Sequence, residues 1–117
     1  MSEPTIRWNG DPAVTASAIP SIVERIVERF DPLRIILFGS FARGEGGRDS
    51  DIDLLVVLPE VENKRQAAIE VLRSLSGRAV PLDVIVTDPD EISRRGDAIG
   101  TVLRPALREG RVLYERP

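Results

Sequence analysis

The chain has 117 residues, 42% of them hydrophobic and 30% charged, which suits one globular domain with a real core and leaves no room for two. It contains neither cysteine nor histidine, which excludes disulfides, thiolate metal sites, a cysteine nucleophile and the usual general base; any metal must sit among oxygens, as Mg²⁺ or Mn²⁺ does. A net charge of −3 and a pI near 5.0 argue against sequence-independent binding of DNA or RNA, which needs a basic face.

Residues 1–15 carry Pro4, Gly10 and Pro12 with no clear period and read as an irregular N-terminal arm, leaving 16–117 as a single domain. The opening MSEPTIRWNGDP lacks the basic head and apolar centre of a signal peptide. The longest apolar run, residues 54–58, falls far short of the roughly 18 residues a membrane span needs, so a cytoplasmic protein is expected. Ile19, Ile22, Val23, Ile26, Val27 and Phe30 then recur at helical spacing, with Ser21 and Glu24 as a capping-box pattern, and Asp31-Pro32 ends that helix.

A short buried strand follows at 35–38, then a glycine-rich segment, then a second apolar strand at 52–58, rich in β-branched residues. Residues 60–76 return to helical spacing, with Gly77 placed as the stop, and 82–86 form a third strand. In TDPDE, Asp88 suits an N-cap, Pro89 the first helical position and Glu91 the far side of a capping box. Ile99, Val102 and Leu103 suggest more helix, Pro105 starts a last short helix that Gly110 terminates, and 112–114 form an edge strand. The expected fold class is α/β: a small mixed β-sheet flanked by helices.

The chemistry concentrates in FGSFARGEGGRDSDIDLLVV, residues 38–57, which holds four of the nine glycines and then two aspartates one residue apart. Glycine this dense is costly to order, and carboxylates entering an apolar strand need a cation. Gly39 and Ser40 follow a strand directly, so their backbone N–H groups and the hydroxyl form an anion site suited to phosphate; a plain turn with a capping serine explains them as well. Asp51 and Asp53, two apart on a strand, point to one face, where a divalent cation would relieve their repulsion; a polar strand entry is the competing reading. Asp83 lies in PLDVIV, a strand otherwise apolar, where it either joins those carboxylates or meets a buried arginine.

Taken together, GSFARGEGGRDSDID resembles the signature of the DNA-polymerase-β-type nucleotidyltransferases, specifically the minimal nucleotidyltransferases (MNT). The resemblance runs from the first helix to the terminal EGRVLYE and implies a polymerase β-like fold. It assigns Gly39 and Ser40 to binding the nucleoside triphosphate, and matches Arg43 to a basic position near the phosphates. Asp51 and Asp53 take the role of ligands to two Mg²⁺ ions, and Asp83 that of the third carboxylate, which binds one metal and receives the acceptor's proton. Larger relatives carry a further domain for the acceptor, for which 117 residues leave no room. The resemblance therefore implies a partner: minimal members are antitoxins of HEPN/MNT toxin–antitoxin modules, transferring AMP from ATP to a tyrosine hydroxyl of the HEPN toxin. Two alternatives stand beside it: a small-molecule transferase of the aminoglycoside type that oligomerises to complete its acceptor site, and a non-catalytic module that neutralises a toxin by covering it.

Overall fold

In residues 34–38 both parities of the strand are apolar: Ile35 and Leu37 face one side, Ile36 the other, so a sheet containing them must be covered on both faces. The computed structural model, which describes residues 14–44, 51–75, 82–98, 101 and 103–117, has that arrangement. A four-stranded sheet runs in the order β3-β2-β1-β4, with β1 (Arg34–Phe38), β2 (Ile52–Val57), β3 (Leu82–Thr87) and β4 (Arg111–Glu115). β1 pairs antiparallel with β2 and β4, and β2 pairs parallel with β3, so the sheet is mixed.

One face carries α1 (Val14–Phe30) and α2 (Lys64–Ser74). Ile19, Ile22, Val23 and Ile26 of α1 are fully buried there against Ile35, Leu37, Leu54 and Val56. The other face is smaller: Ile36, Leu55 and Val57 pack under Leu103 and Ala106 of α4 (Leu103–Glu109), with Ile92 of α3 (Pro89–Arg95) beside them. Each fully buried aliphatic side chain contributes on the order of 1.5–3 kcal/mol, so the larger face dominates stability.

The first helix begins earlier than its capping pattern predicts. It includes Val14 and Thr15, assigned above to the arm, and runs through Pro20, so Ser21 and Glu24 lie inside it and do not cap it. Packing wins over propensity here, because Ile19 on one side of the proline and Ile22 on the other are both fully buried. The second helix starts four residues later than expected. Asn63 caps it, its Oδ1 accepting from the Gln66 N–H at 2.9 Å, while Val61 stays in the loop with its N–H on Asp88 Oδ2.

Asp88 is the N-cap of α3, accepting from the Glu91 N–H at 2.9 Å, and Pro89 opens the helix. The Glu91 carboxylate takes the Thr87 hydroxyl at 2.6 Å, which is not the reciprocal bond of a capping box. Gly110 ends the last helix, and β4 is an edge strand beside β1, both as expected. Residues 1–13 with Trp8, and Gly46, Gly47, Gly77, Ile99 and Val102, lie outside the described residues. No helix among the described residues is long and apolar enough to cross a membrane.

Candidate active site

Strand register brings the motif together. Phe38, the last residue of β1, pairs with Asp53 of β2, and Asp53 pairs on its other side with Asp83 of β3. Gly39 therefore leaves β1 directly beside the Asp53 carboxylate. Asp51 stands immediately before β2, two residues from Asp53, whose side chain lies on one face of the sheet. That face is the one packed under α3 and α4, since Leu55 and Val57 continue it into the smaller core.

Gly39 is required twice over. Its φ of 76° is left-handed, and a Cβ built on it would overlap Asp53 Oδ2 and stand 3.2 Å from Asp53 Cγ. From Gly39 the chain makes one helical turn: the Arg43 N–H donates to the Gly39 carbonyl at 3.3 Å, and the Gly44 N–H to Phe41 at 3.2 Å. Phe41 and Ala42 are buried and anchor the turn in the larger core, while Ser40 and Arg43 stay on its outer side. An open cleft of about 160 Å³ lies against the turn, lined by Phe38, Gly39, Ala42 and Arg43 with Pro105 and Glu109 of α4.

Electrostatics single out Asp53. Burial pushes its carboxyl above the ordinary value, the negative charges of Asp83 and then Asp51 push it further, and the Arg43 guanidinium pulls it back. Asp83, Asp51 and Arg43, three of the residues singled out from the sequence, therefore lie near enough to act on Asp53. Asp83 is exposed on the sheet's outer strand, so it has no need of the buried arginine considered above. An all-oxygen donor set in which like charges compete for one region suits a hard divalent cation. Among the described residues, however, no three acidic groups already stand together at metal-holding positions. Two of the carboxylates, Asp51 and Asp83, are exposed, and Asp53 is partly buried between β1 and β3.

Sequence reasoning missed Pro105 and Glu109 as walls of the cleft, and it missed Arg111. Its Nε–H donates to the Ala42 carbonyl within the glycine turn at 2.7 Å. That contact spans 69 positions, and no local spacing announces it.

Comparison with known proteins identifies the family. Residues 19–109 match the model of the nucleotidyltransferase domain family. Two proteins of Methanocaldococcus jannaschii that carry the proposed name protein adenylyltransferase are similar to the chain. One is 26% identical over 91% of this chain and 76% of its own length, the other 30% identical over 46% and 54%. The crystal structure of a proposed nucleotidyltransferase from Sulfolobus solfataricus superposes with a TM-score of 0.58 at 28% identity, covering 82% of this chain and 76% of that one. A chain from a toxin–antitoxin crystal structure with AMP-PNP shares the fold at a TM-score of 0.50 and 22% identity, over 82% and 73% of the two chains. With the glycine turn meeting the paired aspartates inside the matched region, the chain belongs to the nucleotidyltransferase domain family, as an enzyme of the minimal, polymerase β-like type.

Proposed function

We propose that this enzyme transfers AMP from ATP to a hydroxyl of a protein partner, a HEPN-domain toxin modified on tyrosine, and so serves as that toxin's antitoxin in the cytoplasm. The observation that carries the reading is the register of Phe38 and Asp83 on either side of Asp53, which sets a phosphate-type glycine turn against the acidic residues. The names of the M. jannaschii relatives support a protein acceptor, and the likeness of the fold to a chain of a toxin–antitoxin structure with AMP-PNP supports a toxin as that partner.

In this reading the N–H groups and hydroxyl of the Gly39-Ser40 turn bind the triphosphate, and Arg43 offsets its charge. Asp51, Asp53 and Asp83 would hold two Mg²⁺ ions, which supply Lewis acidity at the reacting phosphate. The acceptor oxygen attacks the α-phosphorus in line with the bond to the β-phosphate; the new O–P bond forms as pyrophosphate leaves. The exposed Asp83 takes the hydroxyl proton. No histidine is required, which matches a chain that has none.

The test is to incubate the chain with the toxin and Mg-ATP and to weigh the toxin by mass spectrometry. A gain of about 329 Da per AMP with wild type, absent with Asp51→Ala or Asp53→Ala, is expected. Neutralisation by both variants with no mass change in any sample would mean that the protein acts by binding alone.

A further inference from the structure

We propose that Arg111, on the last strand, is a positioning residue for the nucleotide turn: it holds the Gly39–Gly44 segment in the shape that receives the triphosphate. The proposal rests on reading that segment as the phosphate-binding turn.

The placement follows from how α4 gives way to β4. The Gly110 N–H donates to the Ala106 carbonyl at 3.0 Å, closing the helix. A Cβ on Gly110 would overlap that carbonyl and the Ile36 side chain, and would stand 3.0 Å from the Leu37 carbonyl. A glycine here lets the chain start β4 in contact with β1, with no connecting loop. Arg111 consequently pairs with Leu37, two residues before Gly39. From there its side chain reaches forward along the sheet, past the end of β1, and its Nε–H meets the Ala42 carbonyl at 2.7 Å.

The bonded carbonyl lies within the turn. Ala42 precedes Arg43, whose N–H closes the turn on the Gly39 carbonyl, so holding the Ala42–Arg43 peptide constrains the point from which the Arg43 side chain leaves the backbone. The bond is charge-assisted, short and partly buried, which places it among the stronger kind. A rigid planar fork holds such a bond better than a flexible ammonium. The guanidinium also adds positive potential behind a turn meant for an anion. The strand that ends the fold and the turn that opens the site are in this way one unit, although they lie far apart in sequence.

Arg111→Met and Arg111→Lys test the assignment by two measurements. The first is amide hydrogen exchange of the ligand-free protein, read at Arg43 and Gly44, whose N–H groups close the turn. The second is calorimetric binding of Mg-ATP. In Arg111→Met those two amides should exchange about tenfold faster or more while β1 and β2 keep their protection, and the Kd for Mg-ATP should rise about tenfold, as expected for the loss of one charge-assisted bond. Arg111→Lys, which keeps a donor and the charge, should recover part of both effects. Should Arg111→Met fail to fold, the lysine variant decides, with a smaller loosening confined to the turn.

Wild-type exchange at Arg43 and Gly44 in both variants overturns the proposal. So does a loosened turn with unchanged Mg-ATP affinity, which would reduce Arg111 to a tie in the fold. If wild type itself binds no Mg-ATP, the nucleotide reading of the turn fails and this role of Arg111 fails with it; a loss of affinity confined to the variants identifies Arg111 alone.

Discussion

Gly39→Ala and Gly44→Ala form a matched pair, because the two glycines share a backbone conformation and differ in their surroundings. Their φ angles are 76° and 75°, both left-handed, so alanine at either position costs about 1–2 kcal/mol of backbone strain. For a chain of this size that is a fall in Tm of about 3–6 °C per kcal/mol. The surroundings then separate them. A Cβ at Gly44 meets nothing within 4 Å, whereas a Cβ at Gly39 overlaps Asp53 Oδ2 and stands 3.2 Å from Cγ. The Asp53 carboxylate can escape by rotating, which limits the added cost to stability but moves the group away from where Asp83 and Asp51 act on it. Thermal unfolding with and without Mg-ATP reads both effects, since a ligand at free concentration c that binds only the folded chain stabilises it by RT ln(1 + c/Kd) and so raises Tm more the tighter it binds. Both variants should melt lower than wild type by a similar amount; Gly44→Ala should keep the larger part of the Mg-ATP shift, whereas Gly39→Ala should lose it. Equal Mg-ATP shifts in the two variants would refute the claim that Gly39 is glycine for the sake of Asp53.

Three further outcomes follow from the site and its supports. The folded pKa of Asp53 lies above its ordinary value of 3.8, so the contribution of this group to the stability of the metal-free protein should fall as pH rises from about 4 through that raised value. Asp53→Asn should therefore melt higher than wild type at pH 7 without metal, and urea titrations at pH 4 and pH 7 check the sign. Asp88 is the opposite case: the Glu91 N–H, above all, holds its carboxyl below 3.8. Its contribution is present above about pH 4 and is lost as pH falls through the lowered value; Asp88→Ala should cost about 2 kcal/mol at pH 7 by urea denaturation while leaving Mg-ATP binding intact. Ser40→Ala should leave Tm within about 2 °C of wild type, since it removes a half-exposed hydroxyl, and weaken Mg-ATP binding several-fold by calorimetry.

The site was more legible in the sequence than the elements that carry it. Gly39, Ser40, Asp51 and Asp53 sit within fifteen residues, so a tight turn after one strand and the alternation of the next were enough to single them out as neighbours. Asp83 came to them through the parallel pairing of β2 with β3, which the apolar pattern of both strands allowed but did not dictate. Helix starts were less legible, because they depend on tertiary competition. Pro20 is carried inside α1 by the buried residues around it, and Val61 is kept out of α2 by the Asp88 carboxylate 27 positions away. Arg111 lay beyond local reading altogether: an arginine after a helix-ending glycine looks like surface charge until β4 is paired with β1.

If the Gly39 turn and the aspartates bind a cation and a triphosphate together, the affinities for the two must be coupled. Calorimetric titration of ATP into wild type and Asp53→Asn, each with Mg²⁺ and with a chelator, measures that coupling directly. Wild type should bind ATP at least tenfold more tightly with Mg²⁺ than without, because the phosphates complete the metal's oxygen shell. In Asp53→Asn the Mg²⁺ advantage should largely vanish while the metal-free affinity stays close to that of wild type. Equal ATP affinity with and without Mg²⁺ in the wild type would contradict the account.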